Sequence, residues 1–230
     1  MSTVLVTGAN RGIGLALVEA WAARGDRVIA TVRDPDRLHG LATVVARFPE
    51  AIEVHRLEVT DPASITGLAA RLAGRPLDVL VNNAGIFGPT RQSTLDMDFD
   101  GWIETLRVNT VAPLAVAQAL LPNLRLGDHA KILTISSGMG SMSQAKSDAV
   151  AYRSSKAAVN KVMQCLATDL AEEGIVVAVC HPGWVKTDMG GEHADISPEM
   201  SATGITRIVD RLTLTRAPTF HVWDGGAMPW

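Results

Sequence analysis

The chain has 230 residues, of which 47% are hydrophobic and 20% are charged, so it can form one α/β domain with a full-sized core. Its 21 basic and 24 acidic residues give a net charge of −3, which excludes the strongly basic surface typical of nucleic-acid-binding proteins. No apolar run approaches the length needed to cross a bilayer, and no charged segment precedes an apolar one as in a signal peptide.

We therefore expect a cytoplasmic protein that binds neither nucleic acid nor membrane. The two cysteines, Cys165 and Cys180, have no pairing pattern, which is typical of a reducing compartment. The six histidines and the carboxylates show no metal-ligand spacing, so no metal is expected.

The first predicted element is a buried strand over residues 3–7, followed by a glycine-rich turn and an apolar-periodic helix. The turn reads Gly8-Ala9-Asn10-Arg11-Gly12-Ile13-Gly14. Dinucleotide-binding folds hold a pyrophosphate in this way, because the helix N-terminus presents free N–H groups. The spacing G-x-x-x-G-x-G differs from the standard G-x-G-x-x-G, so the turn alone is also compatible with an ordinary strand-to-helix connection.

A second strand is predicted over residues 27–32, with a helix following to about Phe48. The residue at the tip of this strand normally faces the adenosine ribose, where a carboxylate favours NAD and an arginine favours NADP. Arg33 lies at the tip and Arg11 lies in the glycine turn, and two guanidinium groups suit a phosphate. Asp34 is the alternative ribose ligand. We favour NADP over NAD.

A third strand is predicted over residues 52–57, followed by Glu58-Val59 and a helix with Asp61 as N-cap and Pro62 at its first position. A fourth strand, over residues 77–81, leads into Asn82-Asn83-Ala84-Gly85. Small residues at the carboxyl end of a strand would let a cofactor approach the backbone, and this is the edge at which open α/β sheets bind ligands.

Residues 95–124 carry a long helical pattern that contains Asn109. Pro113 follows four residues later and should kink or break the helix near Asn109. Because asparagine is a poor helix former, Asn109 needs a local or functional reason to be there.

The remaining pattern continues the alternation of strands and helices. Strands are predicted over residues 130–135, 175–180 and 219–222, and a helix runs from Ser197-Pro198 to about Leu212. The polar, glycine-containing segment 188–196 is predicted to be mobile. Together the elements predict a single-domain Rossmann-type fold over residues 1–230, a doubly wound parallel sheet with helices on both faces.

Tyr152 is the only tyrosine of the chain, and Lys156 follows four residues later on a predicted helix. Residues four apart lie on the same helix face, and Val159 and Met163 continue that face inward. An ammonium beside a phenol should lower the phenol pKa from about 10 and provide a proton donor near neutral pH. The alternative is a surface pair on an amphipathic helix.

Five spaced motifs appear in the order found in one family. They are Thr7-Gly8-x-x-x-Gly12-Ile13-Gly14, Asn82-Asn83-Ala84-Gly85, Ser137, Tyr152-x-x-x-Lys156 and Pro182-Gly183. In these residues the chain resembles the short-chain dehydrogenases/reductases. The stretch HPGWVKTDMGG and the short tail 224–230 are similar to the C-factor and sniffer-type carbonyl reductase branch.

The resemblance implies catalytic roles for four residues. Tyr152 would be the general acid/base, and Lys156 would lower its pKa and hold the nicotinamide ribose. Ser137 would stabilise the developing oxyanion, and Asn109 would position a water that links Lys156 to solvent. The spacing from Ser137 to Tyr152 is slightly longer than usual, so Ser136 competes for the oxyanion role.

The resemblance also implies a cofactor-binding set. It comprises Gly8, Asn10, Arg11, Gly12, Ile13, Gly14, Arg33, Glu58, Val59, Asn83, Ala84, Gly85, Tyr152, Lys156, Pro182, Gly183, Val185 and Thr187. Glu58 departs from the family, which commonly has an aspartate near the adenine. Residues near 188–212 would form a substrate loop and helix.

The implied activity is NADPH-linked reduction of a small carbonyl compound, or the reverse oxidation of an alcohol. The alternative is a nucleotide-binding regulatory or signalling protein with little turnover. Members of the family often form dimers or tetramers through their long helices, so a homodimer or tetramer is possible.

Overall fold

The computed structural model describes residues 1–214 and 218–230. Seven strands form the sheet: β1 (Thr3–Thr7), β2 (Arg27–Val32), β3 (Ile52–Arg56), β4 (Val79–Asn82), β5 (Lys131–Ile135), β6 (Val176–His181) and β7 (Phe220–Val222). All pairs are parallel and the order is β3-β2-β1-β4-β5-β6-β7. In the centre, Val6 lies opposite Ala30 on one side and Val81 on the other.

The helices are α1 (Gly12–Ala23), α2 (Gly40–Arg47), α3 (Pro62–Arg71), α4 (Phe99–Leu106), α5 (Ala112–Leu124), α6 (Val150–Leu170) and α7 (Pro198–Arg211). Helices α1, α2 and α7 cover one face of the sheet, and α3, α5 and α6 cover the other. The predicted doubly wound parallel sheet is confirmed.

Strand residues are apolar on both sides because both faces of the sheet are covered. In β1, Val4 and Val6 belong to the core that contains Trp21, whereas Leu5 belongs to the core that contains Leu120. This explains why β1 reads as a continuous apolar run rather than as an alternating one.

The strand order reverses between β1 and β4, since β1 connects towards β2 and β4 connects towards β5. Connections from the two strands leave in opposite directions there, and a crevice opens beyond their carboxyl ends. The glycine turn follows β1 and the Asn-Asn-Ala-Gly segment follows β4, so both candidate segments lie at this crevice.

The prediction of one long helical stretch over residues 95–124 is partly wrong. Residues 95–98 are not helical, and α4 begins after Asp98, whose side chain accepts from the Gly101 N–H at 3.0 Å. The break predicted near Asn109 is a π-helical turn, Arg107–Val111, which widens the helix before Pro113 enters α5. Asn109 is buried in that turn.

The predicted helix caps are confirmed. The Asp61 carboxylate accepts from the Ala63 N–H at 3.0 Å, and the Ser197 hydroxyl accepts from the Met200 N–H at 3.2 Å. None of the helices within the described ranges combines the length and the apolar character that crossing a membrane requires.

Candidate active site

The glycine turn forms a cradle at the start of α1. Gly8 and Gly12 have φ angles of +66° and +54°, which favour glycine, and a Cβ at Gly14 would lie 2.3 Å from the Gly8 oxygen. No side chain caps α1 and its first turn holds no acidic residue, so its N–H groups suit an anion. The cradle therefore fits the pyrophosphate of a dinucleotide.

Asn83 and Ala84 join the ends of β1 and β4. Their N–H groups both donate to the Thr7 hydroxyl at 3.0 Å. The Asn83 amide also donates to the carbonyl oxygens of Thr7 and Gly8, at 2.8 Å and 3.1 Å. A Cβ at Gly8 would lie 3.1 Å from the Ala84 Cα. The side chain of Asn83 thus builds the cradle, and Ala84 must be small.

Two candidates for ribose recognition differ in their partners. The Asp34 carboxylate accepts from the Asp36 N–H at 3.1 Å and pairs with Arg37 at 3.5 Å, so it stabilises its own turn. Arg33 follows β2 directly, is exposed, and makes no ion pair or hydrogen bond with the residues described. Arg11 pairs with Asp188 of the 188–196 segment. Among the described residues, the side chain of Arg33 therefore has no partner at the end of β2.

Glu58 and Val59 lie half-buried just beyond β3. The Glu58 carboxylate accepts from both the N–H and the hydroxyl of Thr60, at 3.2 Å and 3.0 Å, and the Glu58 N–H donates to the Ser64 hydroxyl at 2.9 Å. The Glu58 carboxylate thus stabilises its own turn through Thr60.

Tyr152 and Lys156 share the inward face of α6. They are 8% and 5% exposed, and the Lys156 Nζ lies 5.7 Å from the centroid of the Tyr152 ring. Val159 and Met163 continue this face into the core. The predicted inward-facing pair is confirmed, and the surface alternative is wrong.

The pKa of the Tyr152 phenol is raised, whereas the neighbouring Lys156 ammonium alone predicts a lowered pKa. Burial raises the pKa of the phenol, and an interaction with the Ser137 side chain lowers it to a smaller extent. Burial also lowers the pKa of Lys156 from 10.5 to about 8. Burial of the phenol outweighs its interaction with Ser137, so the protein's own groups do not make Tyr152 a stronger acid.

The two candidate serines have different partners. Ser136 is 1% exposed and its hydroxyl donates to the Asn160 Oδ1 at 2.5 Å. Ser137 is 8% exposed, accepts from the Met139 N–H at 3.1 Å and interacts with the Tyr152 phenol. The structure therefore brings Ser137, and not Ser136, to the tyrosine.

Asn109 connects the loop after β4 to α6. Its Oδ1 accepts from the Ile86 N–H at 2.9 Å, and its Nδ2 donates to the Ile86 oxygen at 2.8 Å and to the Ser155 hydroxyl at 3.0 Å. A Cβ at Gly85 would lie 3.2 Å from the Asn109 Oδ1 and 3.7 Å from the Lys156 Nζ. Gly85, Asn109 and Lys156 are therefore neighbours, while the water-positioning role of Asn109 stays a prediction.

The segment after β6 lies over the glycine turn. A Cβ at Gly12 would lie 3.2 Å from the Thr187 Cγ2. Val185 is buried and bridges to Ile196, and the Trp184 Nε1 donates to the Gly190 oxygen at 2.8 Å, so the 188–196 segment is tied to the strand end.

The other residues of the predicted cofactor set lie near this edge of the sheet. Gly183 has a φ angle of +87°, and the Pro182 oxygen accepts from the Ser201 hydroxyl of α7 at 2.7 Å. Asn10 and Ile13 are half-buried in the glycine turn.

Sequence reasoning missed two apolar residues of this region. The Phe87 ring lies 5.0 Å from the Tyr152 ring, centroid to centroid, and a Cβ at Gly138 would lie 3.3 Å from the Met228 Cε. Phe87 follows the Asn-Asn-Ala-Gly segment closely enough to have been considered. Nothing in the sequence placed Met228 beside the loop after Ser137.

A groove of about 630 Å³ lies elsewhere, between α7 and β7, and includes Met200, Arg207 and Trp223 in its lining. It contains none of Asn109, Ser137, Tyr152 and Lys156.

A family model described as short chain dehydrogenase matches residues 2–196 of the chain. The protein belongs to the short-chain dehydrogenase family. The C-signal of Myxococcus xanthus is 39% identical over 164 residues, which cover 70% of this chain and 98% of that protein. This relative and the solved structures below confirm the predicted family and its carbonyl reductase-like branch.

Two solved carbonyl reductases resemble this short-chain dehydrogenase over its whole length. The NADPH-bound carbonyl reductase from chicken fatty liver is 37% identical, with a TM-score of 0.92 and coverage of 100% of this chain and 99% of that one. The carbonyl reductase Sniffer of D. melanogaster is 29% identical, with a TM-score of 0.92 and full coverage of both chains. The protein is thus an oxidoreductase that uses a nicotinamide cofactor.

Proposed function

We propose that this short-chain dehydrogenase catalyses the NADPH-linked reduction of a small carbonyl compound, or the reverse oxidation of an alcohol, with Tyr152 as the proton donor. The observation that carries the proposal is the buried cluster of Tyr152, Lys156 and Ser137 beside Gly85, at the sheet edge where the glycine cradle lies. Bound NADPH would supply the hydride.

Each residue of the cluster has a chemical task in this proposal. The Tyr152 hydroxyl donates its proton to the carbonyl oxygen as negative charge develops there. The Ser137 hydroxyl donates a hydrogen bond to the same oxygen and stabilises that charge. Lys156, held by the Ile135 carbonyl at 2.9 Å, donates to the nicotinamide ribose and supports the phenolate that remains. Asn109 holds the Gly85-Ile86 backbone against this group.

We further propose that NADP is the natural cofactor. Arg33 is free of partners among the described residues while Asp34 is held in its own turn, and guanidinium groups bind a 2′-phosphate well. The similarity to the NADPH-bound chicken reductase supports the same choice. Arg33→Ala should weaken NADPH binding about tenfold or more and leave NADH binding nearly unchanged. An equal loss for both cofactors, measured by fluorescence titration, would favour Asp34 and NAD.

The substrate class is proposed from apolar side chains. The Phe87 ring packs against Tyr152 and is 43% exposed. Trp184 lies just before the 188–196 segment and is 51% exposed, and Met189 lies within it and is 48% exposed. These groups suit a small apolar or aromatic aldehyde or ketone, and residues near 188–212 would cover it.

A panel of aldehydes and ketones with NADPH tests the activity directly. Tyr152→Phe should reduce turnover by at least about 100-fold, because it removes the proton donor, while NADPH binding stays within a few-fold. Normal turnover in this variant would end the proposal.

The regulatory alternative is favoured by one observation, the similarity to C-signal over most of that protein. It predicts NADPH binding with no turnover on any member of the panel.

Assembly into a dimer or tetramer also remains a proposal. It is supported by exposed apolar side chains along α4 and the π-helical turn that follows it, Phe99, Ile103 and Val111, and light scattering would measure it.

A further inference from the structure

Gln92 is a glutamine in the loop between β4 and α4, with only 7% of its surface exposed. Both ends of its carboxamide are bonded. The Nε2 donates to the carbonyl oxygens of Phe87 at 3.3 Å and Pro89 at 2.9 Å, and the Oε1 accepts from the Tyr152 N–H at 3.1 Å. In addition, the main-chain oxygen of Gln92 accepts from the Val150 N–H at 2.8 Å.

Helix α6 has no N-terminal cap of its own. The residue before it, Ala149, has φ 49° and ψ 47°, a left-handed conformation that alanine rarely adopts, and no side chain near it caps the helix. Val150 and Tyr152 are the first and third residues of α6, so their N–H groups have no partner inside the helix. Gln92 therefore performs the task of an N-cap side chain from a distant part of the chain.

The same loop also forms one side of the candidate site. It carries Phe87, whose ring packs on the Tyr152 ring at 5.0 Å between centroids with an interplanar angle of 32°. The Gln92 side chain holds the Phe87 carbonyl at one end and the Tyr152 N–H at the other. A displacement of the loop would therefore move the aromatic wall and the phenol relative to each other.

We propose that Gln92 is a positioning residue for the reaction, which sets the place of the Tyr152 phenol against Phe87 by capping α6 from the neighbouring loop. The effect on turnover rests on the proposed function, in which Tyr152 is the proton donor. The effect on the position of Tyr152 does not depend on that function.

The test compares Gln92→Met with a matched control. Methionine has nearly the length of glutamine and makes no comparable hydrogen bonds. Asn123 offers the control, because it is also a buried carboxamide that holds loop carbonyls, those of Leu72 and Arg75, but at the opposite edge of the sheet. Asn123→Leu should lower stability without touching the candidate site.

Two readouts are needed. The first is kcat and KM with NADPH and the best carbonyl substrate of the panel. The second is the signal of protein labelled with ¹³C at the tyrosine Cζ, which reports one residue because Tyr152 is the only tyrosine. Gln92→Met should lower kcat by about 10- to 100-fold with KM for NADPH within a few-fold, and should move the tyrosine signal. Asn123→Leu should change neither.

The proposal is overturned if the tyrosine signal of Gln92→Met coincides with that of the wild type, or if kcat falls no more than in Asn123→Leu. Should Gln92→Met fail to fold, Gln92→Asn replaces it, since asparagine is one methylene too short to hold the loop and reach the Tyr152 N–H, and the same two criteria apply. If Tyr152→Phe kept its turnover, the proposed function would fail, while the tyrosine signal would still decide whether Gln92 positions the ring.

Discussion

Lys156 should destabilise the folded protein at neutral pH, because its ammonium is buried. Burial lowers its pKa from 10.5 to about 8. At about 1.36 kcal/mol per pKa unit, keeping the ammonium charged in the folded state costs about 3 kcal/mol. Lys156→Met removes that cost and fills the same space with a flexible apolar chain. It also leaves the Ile135 carbonyl, which accepts from the Lys156 Nζ at 2.9 Å, without this partner. That loss costs about 1–2 kcal/mol, so the variant should be more stable by about 1–2 kcal/mol at pH 7.

The pH dependence follows from which state binds more protons. Below about pH 8 the lysine is protonated in both states, so its full cost is present. Between about pH 8 and 10.5 the unfolded chain holds the proton and the folded protein releases it, so wild-type stability rises with pH. The methionine variant has no such group. Its advantage over the wild type should therefore shrink by about 2 kcal/mol between about pH 7 and pH 9.5, so that the two proteins are about equally stable at about pH 9.5.

Urea unfolding followed by tryptophan fluorescence at several pH values measures this difference. Lys161→Met is the matched control, since Lys161 lies on the same helix but is exposed. It should change stability by less than about 0.5 kcal/mol and follow the wild-type pH curve. The reasoning is refuted if Lys156→Met is less stable than the wild type at pH 7, or if the difference between them is the same at pH 7 and pH 9.5. The turnover of Lys156→Met should be lost whichever stability result is found.

Gly14→Ala should destabilise the protein by about 1–3 kcal/mol and abolish cofactor binding, because its Cβ would lie 2.3 Å from a backbone oxygen. Gly67→Ala, in α3 with nothing within 4 Å of the added Cβ, should raise stability by about 0.5–1 kcal/mol; equal melting temperatures for both variants would contradict this. Ser137→Ala should reduce turnover by about 100-fold, as expected for loss of an oxyanion donor, and lower stability by about 0.5–1 kcal/mol, since the Met139 N–H loses its acceptor. Ser136→Ala should lower stability by about 1–2 kcal/mol, since the Asn160 oxygen loses its donor, and leave turnover nearly unchanged; the opposite pattern of turnover would make Ser136 the donor.

Several features of the site were predictable because they depend on residues close together in the chain. The glycine turn follows from backbone angles that favour glycine, and the caps at Asp61 and Ser197 follow from side chains that bond to N–H groups two or three residues later. The inward direction of Tyr152 and Lys156 follows from helix periodicity. Local geometry and local hydrogen bonds determine all of these, so the sequence alone carries them.

Other features depend on partners that the sequence does not reveal. Ser136 and Ser137 are adjacent and chemically identical, and their roles are separated by partners on another element, Asn160 for Ser136 and Tyr152 for Ser137. The pKa of Tyr152 rises because many distant segments together exclude water from it, an effect that a pair of residues cannot predict. The role of Gln92 could not be predicted, since its bond to the Tyr152 N–H joins positions that are 60 residues apart. Motifs and periodicity thus determined the fold and the reactive pair, whereas tertiary packing decided hydroxyl partners, solvation and the capping of α6, because these depend on contacts between segments distant in sequence.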